Sequence, residues 1–209
     1  MTQDVLLALA AFAFATSITP GPNNLMLMAS GANFGFLRTL PHMLGVASGF
    51  VAMTVLVGLG LMQAFEAAPW LYDLLRAAGA AYMLWLAWRI AHAAPPQEGE
   101  APRGRPMTFL AACAFQWVNV KAWAMAVTAI ALYAPDRTLP SLALVAAVFG
   151  AVNLPSVGLW AVLGVQMRRV LTRPSRLRAF NRGMAALLVV SLWPMLVQGL
   201  AQGLAPGPG

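Results

Sequence analysis

Charge is what this 209-residue chain has least of: Asp, Glu, Lys and Arg together make up 9% of it, with only six acids, while 60% of residues are hydrophobic and mean hydropathy is +0.73. Soluble domains carry roughly 25% charged residues, so the composition excludes one and indicates an integral membrane protein. No acid falls deep in an apolar run, which excludes a carboxylate proton relay or a cation trap of the kind found in pumps. The single cysteine, Cys113, excludes an intrachain disulfide and a thiolate metal cluster. Lysine also occurs once, at Lys121, whereas every other basic position is arginine.

Stretches of about 20 mainly apolar residues occur roughly at 4 to 29, 40 to 64, 68 to 91, 108 to 133, 139 to 166 and 182 to 203. The expected fold is an all-α membrane protein of six transmembrane helices, forming one transporter domain over 1–209. The opening Met1-Thr2-Gln3-Asp4 places an acid where a removable signal carries bases, so the first run is read as a span. The segment Ala93 to Pro106 is polar and proline-rich and cannot continue a helix. It is the expected cytoplasmic linker (93–107) between a first half (1–92) and a second half (108–209). Three spans on each side of it give the halves opposite senses in the bilayer, the geometry of an inverted repeat.

Arginines are sorted by loop. Arg38, Arg89, Arg103, Arg105, Arg168, Arg169, Arg173, Arg176, Arg178 and Arg182 fall on one side, and only Arg76 and Arg137, with Asp4, Glu66, Asp73 and Asp136, on the other. Positive-inside sorting places the arginine-rich side in the cytoplasm and both termini outside. The Arg168 to Arg182 run is read as an orientation signal in contact with anionic membrane lipids, and nucleic acid is not an expected partner.

Within the first run stands Thr19-Pro20-Gly21-Pro22-Asn23. Proline lacks an N–H and displaces the carbonyl four residues back, so Pro20 and Pro22 should strip the helical partners from the carbonyls of Thr16 and Ile18. Bare carbonyls at membrane depth are tolerated where protein or a wet cavity meets them, and discontinuous helices build transporter substrate sites. The fourth run has its own polar centre, Gln116 to Lys121, and the fifth has Asn153-Leu154-Pro155-Ser156, where Pro155 should free the carbonyl of Ala151. Lys121 is the one formal charge near the middle of a span, a placement that costs about 2.5–3.5 kcal/mol on insertion scales. It can hold a substrate carboxylate, or donate to carbonyls near Thr16 and Ile18 and so lock the halves together. Thr19 is a candidate N-cap for the second half-helix. Asn23, Asn119 and Asn153 can each donate and accept toward an amino acid backbone, while Asn24 fits a capping role. His42 reads as an interfacial histidine without a role. Gly31/Gly35 and Gly45/Gly49 have the spacing for close helix approach, and a homodimer through those faces is compatible with it. The expected substrate site is Thr19, Pro20, Gly21, Pro22, Asn23, Asn119, Lys121 and Asn153, with no catalytic residue, metal or cofactor.

The Thr19 to Asn23 motif, the four glycines from Gly31 to Gly49, Asn119-Val120-Lys121-Ala122-Trp123 and Phe180-Asn181-Arg182-Gly183 resemble the LysE/RhtB superfamily of bacterial amino acid exporters, over essentially the whole chain. The resemblance implies export of amino acids from the bacterial inner membrane, coupled to the proton gradient, and is nearer the threonine and homoserine branch. Phe180 to Gly183 then marks the start of the last helix. Val120 stands where the family usually has proline, which implies a less broken fourth helix. Phe50 after Gly49 implies a substrate more apolar than threonine, such as leucine or a lactone derivative. Two other classes are compatible with such a chain, an intramembrane enzyme acting on a lipid or phosphate substrate and a passive channel. The enzyme would have only Ser17, Ser156 and Lys121 to work with, and Lys121 would oppose a cation pore.

Overall fold

The computed structural model describes residues 2–68, 70–93 and 104–193. Most of the expected linker, Arg103 and the continuation of the sixth span from 194 to 203 lie outside the described residues. Among those described, the fold is all-helical. Helix α1 (Gln3–Ile18) breaks into α2 (Pro22–Phe34), and the pair is bent by 58°. Gly35, at φ 82°, turns the chain into α3 (Phe36–Leu56). That φ is a backbone region glycine reaches without penalty, so Gly35 is a hinge residue and does not pair with Gly31 on a packing face as its spacing suggested.

A wide turn, Val57–Leu61, with Gly60 at φ 104°, leads to α4 (Met62–Ala67), and α5 (Trp70–Ala91) completes the first half. The second half opens on another bent pair, α6 (Phe109–Gln116) and α7 (Val120–Tyr133), at 64°. Two helices follow, α8 (Leu139–Val170) and α9 (Pro174–Val190). Phe36–Leu61 and Leu139–Val170 are long and apolar enough to cross a bilayer, and each bent pair qualifies if taken as one span. Helix α5, at 22 residues about 33 Å long, has the length but carries Asp73, Arg76 and Arg89.

Helices from before and after residues 94–103 pack together: α1 on α8, and α6 on α3. The largest interface, between α2 and α8, exists because glycine removes the side chains in its way. A Cβ on Gly31 would strike the Ala161 carbonyl, and one on Gly164 the Met28 carbonyl. Gly45 and Gly49 seat α6 in the same manner, against Phe109 and Cys113. Gly31, Gly45 and Gly49 are thus buried within the protein, and a dimer would need another surface. Leu7, Phe14, Leu37, Leu110, Leu132 and Val190 are exposed; they form part of the apolar belt a bilayer would cover.

Helix α8 runs through Pro155 as one helix, since a proline is tolerated in a membrane helix among neighbouring helices; just past it the Ser156 hydroxyl donates to the Val152 carbonyl at 2.7 Å. Two further expectations, on the start of the last helix and on His42, need correction. Helix α9 begins at Pro174 rather than at Phe180 to Arg182, because proline is well suited to a first helical turn. Asn181 therefore sits inside the helix and is fully buried, exchanging hydrogen bonds of 2.8 and 3.0 Å with Asn33 of α2. His42, expected at an interface, is buried at 2% exposure.

Contacts gather the arginine loops at one end. Arg38 donates to the Gly104 carbonyl, Arg89 to that of Arg105, and the Arg168 side chain lies beside Gly35.

Candidate functional site

Every carbonyl that the first break exposes finds a donor. That of Thr16 accepts from the Thr19 hydroxyl at 3.0 Å, and that of Ile18 from the Trp160 indole at 3.0 Å. The Asn24 amide donates to both Ser17 and Thr19 carbonyls at 2.8 Å, the capping role expected of it. Thr19 does not cap α2. Its hydroxyl turns back toward α1, and Gly21 stands at the N-cap with Pro22 at the first helical positions.

The second break is built without proline. Asn119 caps α7, its side chain accepting from the Lys121 N–H at 3.2 Å. The Trp123 indole donates to the Trp117 carbonyl at 2.8 Å, and short-range N–H bonds from Trp117, Val118 and Asn119 close the end of α6. The break with Val120 is accordingly as sharp as the one with two prolines, against the expectation of a less broken helix. Capping supplies what a proline would.

The two breaks meet. The Lys121 ammonium donates to the Thr19 carbonyl at 2.6 Å and the Thr19 hydroxyl at 2.9 Å, with the Pro20 carbonyl at 3.5 Å. These are opened-backbone groups just past Ile18, at the place expected of a lysine that joins the two breaks. Gly21 leaves room for the lysine stem, since a Cβ there would lie 2.8 Å from Lys121 Cδ. Beside it, the Asn23 amide donates to Gln116 Oε1 at 2.9 Å and accepts from Gln116 Nε2 at 3.3 Å.

Around these groups is a narrow cavity of about 330 Å³ including its mouth, lined among others by Gly21, Asn23, Phe50, Gln116, Lys121 and Asn153. Asn119 reaches it too, and Thr19 faces it through the lysine. Asn153 donates to the Ser17 hydroxyl at 3.1 Å, leaving its buried Oδ1 without a partner. A second, mostly apolar space of about 550 Å³ including its open mouth lies on the other side of Lys121 and Asn119, against Pro22, Met83 and Ser191. Lys121 thus stands between a polar cavity and an apolar one.

Both half-helices, α2 and α7, begin at this point. Their N-terminal N–H groups carry partial positive charge, and with the ammonium they form a local field suited to an anion. The broken-backbone carbonyls beside it suit a cation. Of the expected site residues, Gly21, Asn23, Asn119, Lys121 and Asn153 line the polar cavity, Thr19 and Pro20 hold Lys121, and Pro22 borders the apolar space. Gln116 and Trp160 also belong to this region, although neither is among the expected site residues. Gln116 was visible as a polar residue in an apolar run; Trp160, 142 residues from its partner, gave no such signal.

A family model described as LysE type translocator matches residues 14–193. The chain is 34% identical over 139 residues to cysteine/O-acetylserine efflux proteins of Escherichia coli K12, Escherichia coli O1:K1 and Shigella sonnei Ss046, covering 66% of this chain and 70% of theirs. No solved structure matches it significantly.

Proposed function

The chain belongs to the LysE type translocator family, and on that premise we propose that it exports neutral amino acids or their derivatives across the bacterial inner membrane by alternating access. The observation that carries this reading is the Lys121 ammonium, lying on opened backbone where two half-helices begin. The substrate carboxylate takes the place of Thr19 at Lys121 and faces the α2 and α7 N-termini. The ammonium takes the carbonyls of Thr19 and Pro20 that the lysine has left, with Asn23, Asn119, Gln116 and Asn153 completing the polar shell. The side chain points to the apolar wall that Phe50 and Met125 supply.

Both charges of a zwitterion are met, while a second positive charge has no carboxylate to receive it. Lysine and arginine are therefore disfavoured. Cysteine and O-acetylserine, the substrates in the relatives' names, join threonine, homoserine, leucine and lactone derivatives as the compounds to test. Six crossings, with α5 and α9 as the third and sixth, both termini periplasmic and coupling to protons complete the proposal.

The experiment is efflux of each labelled compound from loaded proteoliposomes, with and without an imposed pH gradient, for the natural protein and Lys121→Ala. Saturable, gradient-dependent efflux of neutral amino acids, lost in the variant, is the expected result. Strong preference for lysine, or undiminished efflux by Lys121→Ala, would overturn the reading. Flux that neither saturates nor follows the gradient would indicate a channel.

A further inference from the structure

A third cavity, of about 520 Å³ including its open mouth, lies at the arginine-bearing end of the bundle, apart from the site at Lys121. Its walls come from α2, α3, α5 and the segment leading into α6, and they include Ser30, His42, Arg89 and Arg105. Most of its polar groups are already occupied. Ser30 is bonded to Thr39, and Asn33 is paired with Asn181. His42 is not: its ring is 2% exposed, and neither Nδ1 nor Nε2 has a hydrogen-bond partner. Buried polar groups rarely stay unpaired without a reason. A neutral imidazole there offers one donor and one acceptor.

The cation side of the cavity is also arranged. The Arg89 guanidinium rests over the Trp85 ring at 4.8 Å, and its Nη2 lies 3.4 Å from the Arg105 carbonyl. The carbonyl fixes one edge of the fork and leaves the remaining donors for an anion; such forks suit carboxylates.

We propose that this cavity is a loading subsite, where the amino acid binds before it reaches Lys121. Its carboxylate is held by Arg89 and Arg105, and its ammonium donates to the free acceptor nitrogen of His42. The proposal rests on the export reading and adds to it a place of first capture, with a selection for zwitterions made ahead of the central site.

Two measurements separate its failure from that of export. The first is efflux of labelled O-acetylserine from proteoliposomes, with substrate supplied at the arginine-bearing face. His42→Leu and Arg89→Gln should raise the half-saturation concentration about ten-fold, the worth of one hydrogen bond to a charged group, with the maximal rate unchanged. His42→Gln, which keeps a donor and an acceptor, should restore it. An unchanged half-saturation in His42→Leu, or equal loss in His42→Gln and His42→Leu, overturns the proposal. The second is equilibrium binding of labelled O-acetylserine to purified Lys121→Ala protein, which needs no transport. Binding that persists there and disappears on adding Arg89→Gln supports the subsite even if export fails, and absence of binding overturns it. Both are run in phosphatidylcholine with and without phosphatidylglycerol. Arginine-dependent capture of phosphatidylglycerol without amino acid binding would assign the arginines to lipid headgroups and refute the subsite.

Discussion

The Asn23–Gln116 pair makes an asymmetric prediction. The partners are 93 residues apart and join the two helix breaks through bonds of 2.9 and 3.3 Å. Gln116 is fully buried, and its Nε2 also donates to the Ala112 carbonyl, whereas Asn23 is half-buried. Removing Asn23 thus leaves Gln116 Oε1 bare in the interior, at a cost of about 1–3 kcal/mol. Removing Gln116 leaves Asn23 where water from the cavity mouth can reach it. Gln116→Leu, which keeps the volume, should cost about 1 kcal/mol or less, in line with interhelical hydrogen bonds in membranes at about 0.6 kcal/mol on average. In Asn23→Ala/Gln116→Leu no buried group is left bare, so the double variant should be more stable than Asn23→Ala alone. The coupling should be about 1–2 kcal/mol, a factor of about 5–30 in the folded population. Thermal unfolding of the four proteins in one detergent measures it. Strict additivity, or Gln116→Leu costing as much as Asn23→Ala, would show that the clasp does not carry the contact between the breaks. Efflux should be lost in the double variant even though its fold is retained, since the polar shell is gone.

Other consequences follow from the packing and the caps. Gly164→Ala drives a Cβ into the Met28 backbone and should destabilise the protein by about 1–3 kcal/mol or more; Gly183→Ala meets nothing within 4 Å in α9 and should stabilise it by about 0.5–1 kcal/mol, both read from melting temperature. Asn33→Ala strips the buried Asn181 Nδ2 and Oδ1 of their partner and should cost about 1–3 kcal/mol by the same assay. Between α7 and α8, hydrogen bonds from Ser141 and Thr138 hold the Asp136 carboxyl below its ordinary 3.8. The stabilisation of this turn should be complete above that value and decline as pH falls through the lowered one. Amide exchange in the first turn of α8 should show that acid-side loss in the natural protein and not in Asp136→Asn.

Hydrocarbon makes some features of this chain readable one residue at a time. A proline removes a donor wherever it stands, and an apolar solvent leaves the orphaned carbonyls no water, so the break at Thr19 to Asn23 follows from local chemistry alone. The same holds for Lys121, whose charge at mid-span must meet a partner, and for the arginines gathered at one end. The identity of each partner was a matter of tertiary structure. Lipid-facing and buried faces are equally apolar, so hydrophobic pattern does not say which side of a membrane helix looks inward. Which groups meet depends on how close the backbones come, and Gly31, Gly45, Gly49 and Gly164 set that only once α2 lies on α8 and α6 on α3. From that contact come the lysine on Thr19, the Asn33–Asn181 and Asn23–Gln116 clasps and the burial of His42. The sequence by itself determined that this chain crosses a membrane on broken helices around one mid-span ammonium. Tertiary structure decided what that ammonium touches, because partners more than 90 residues apart are joined by packing and not by pattern.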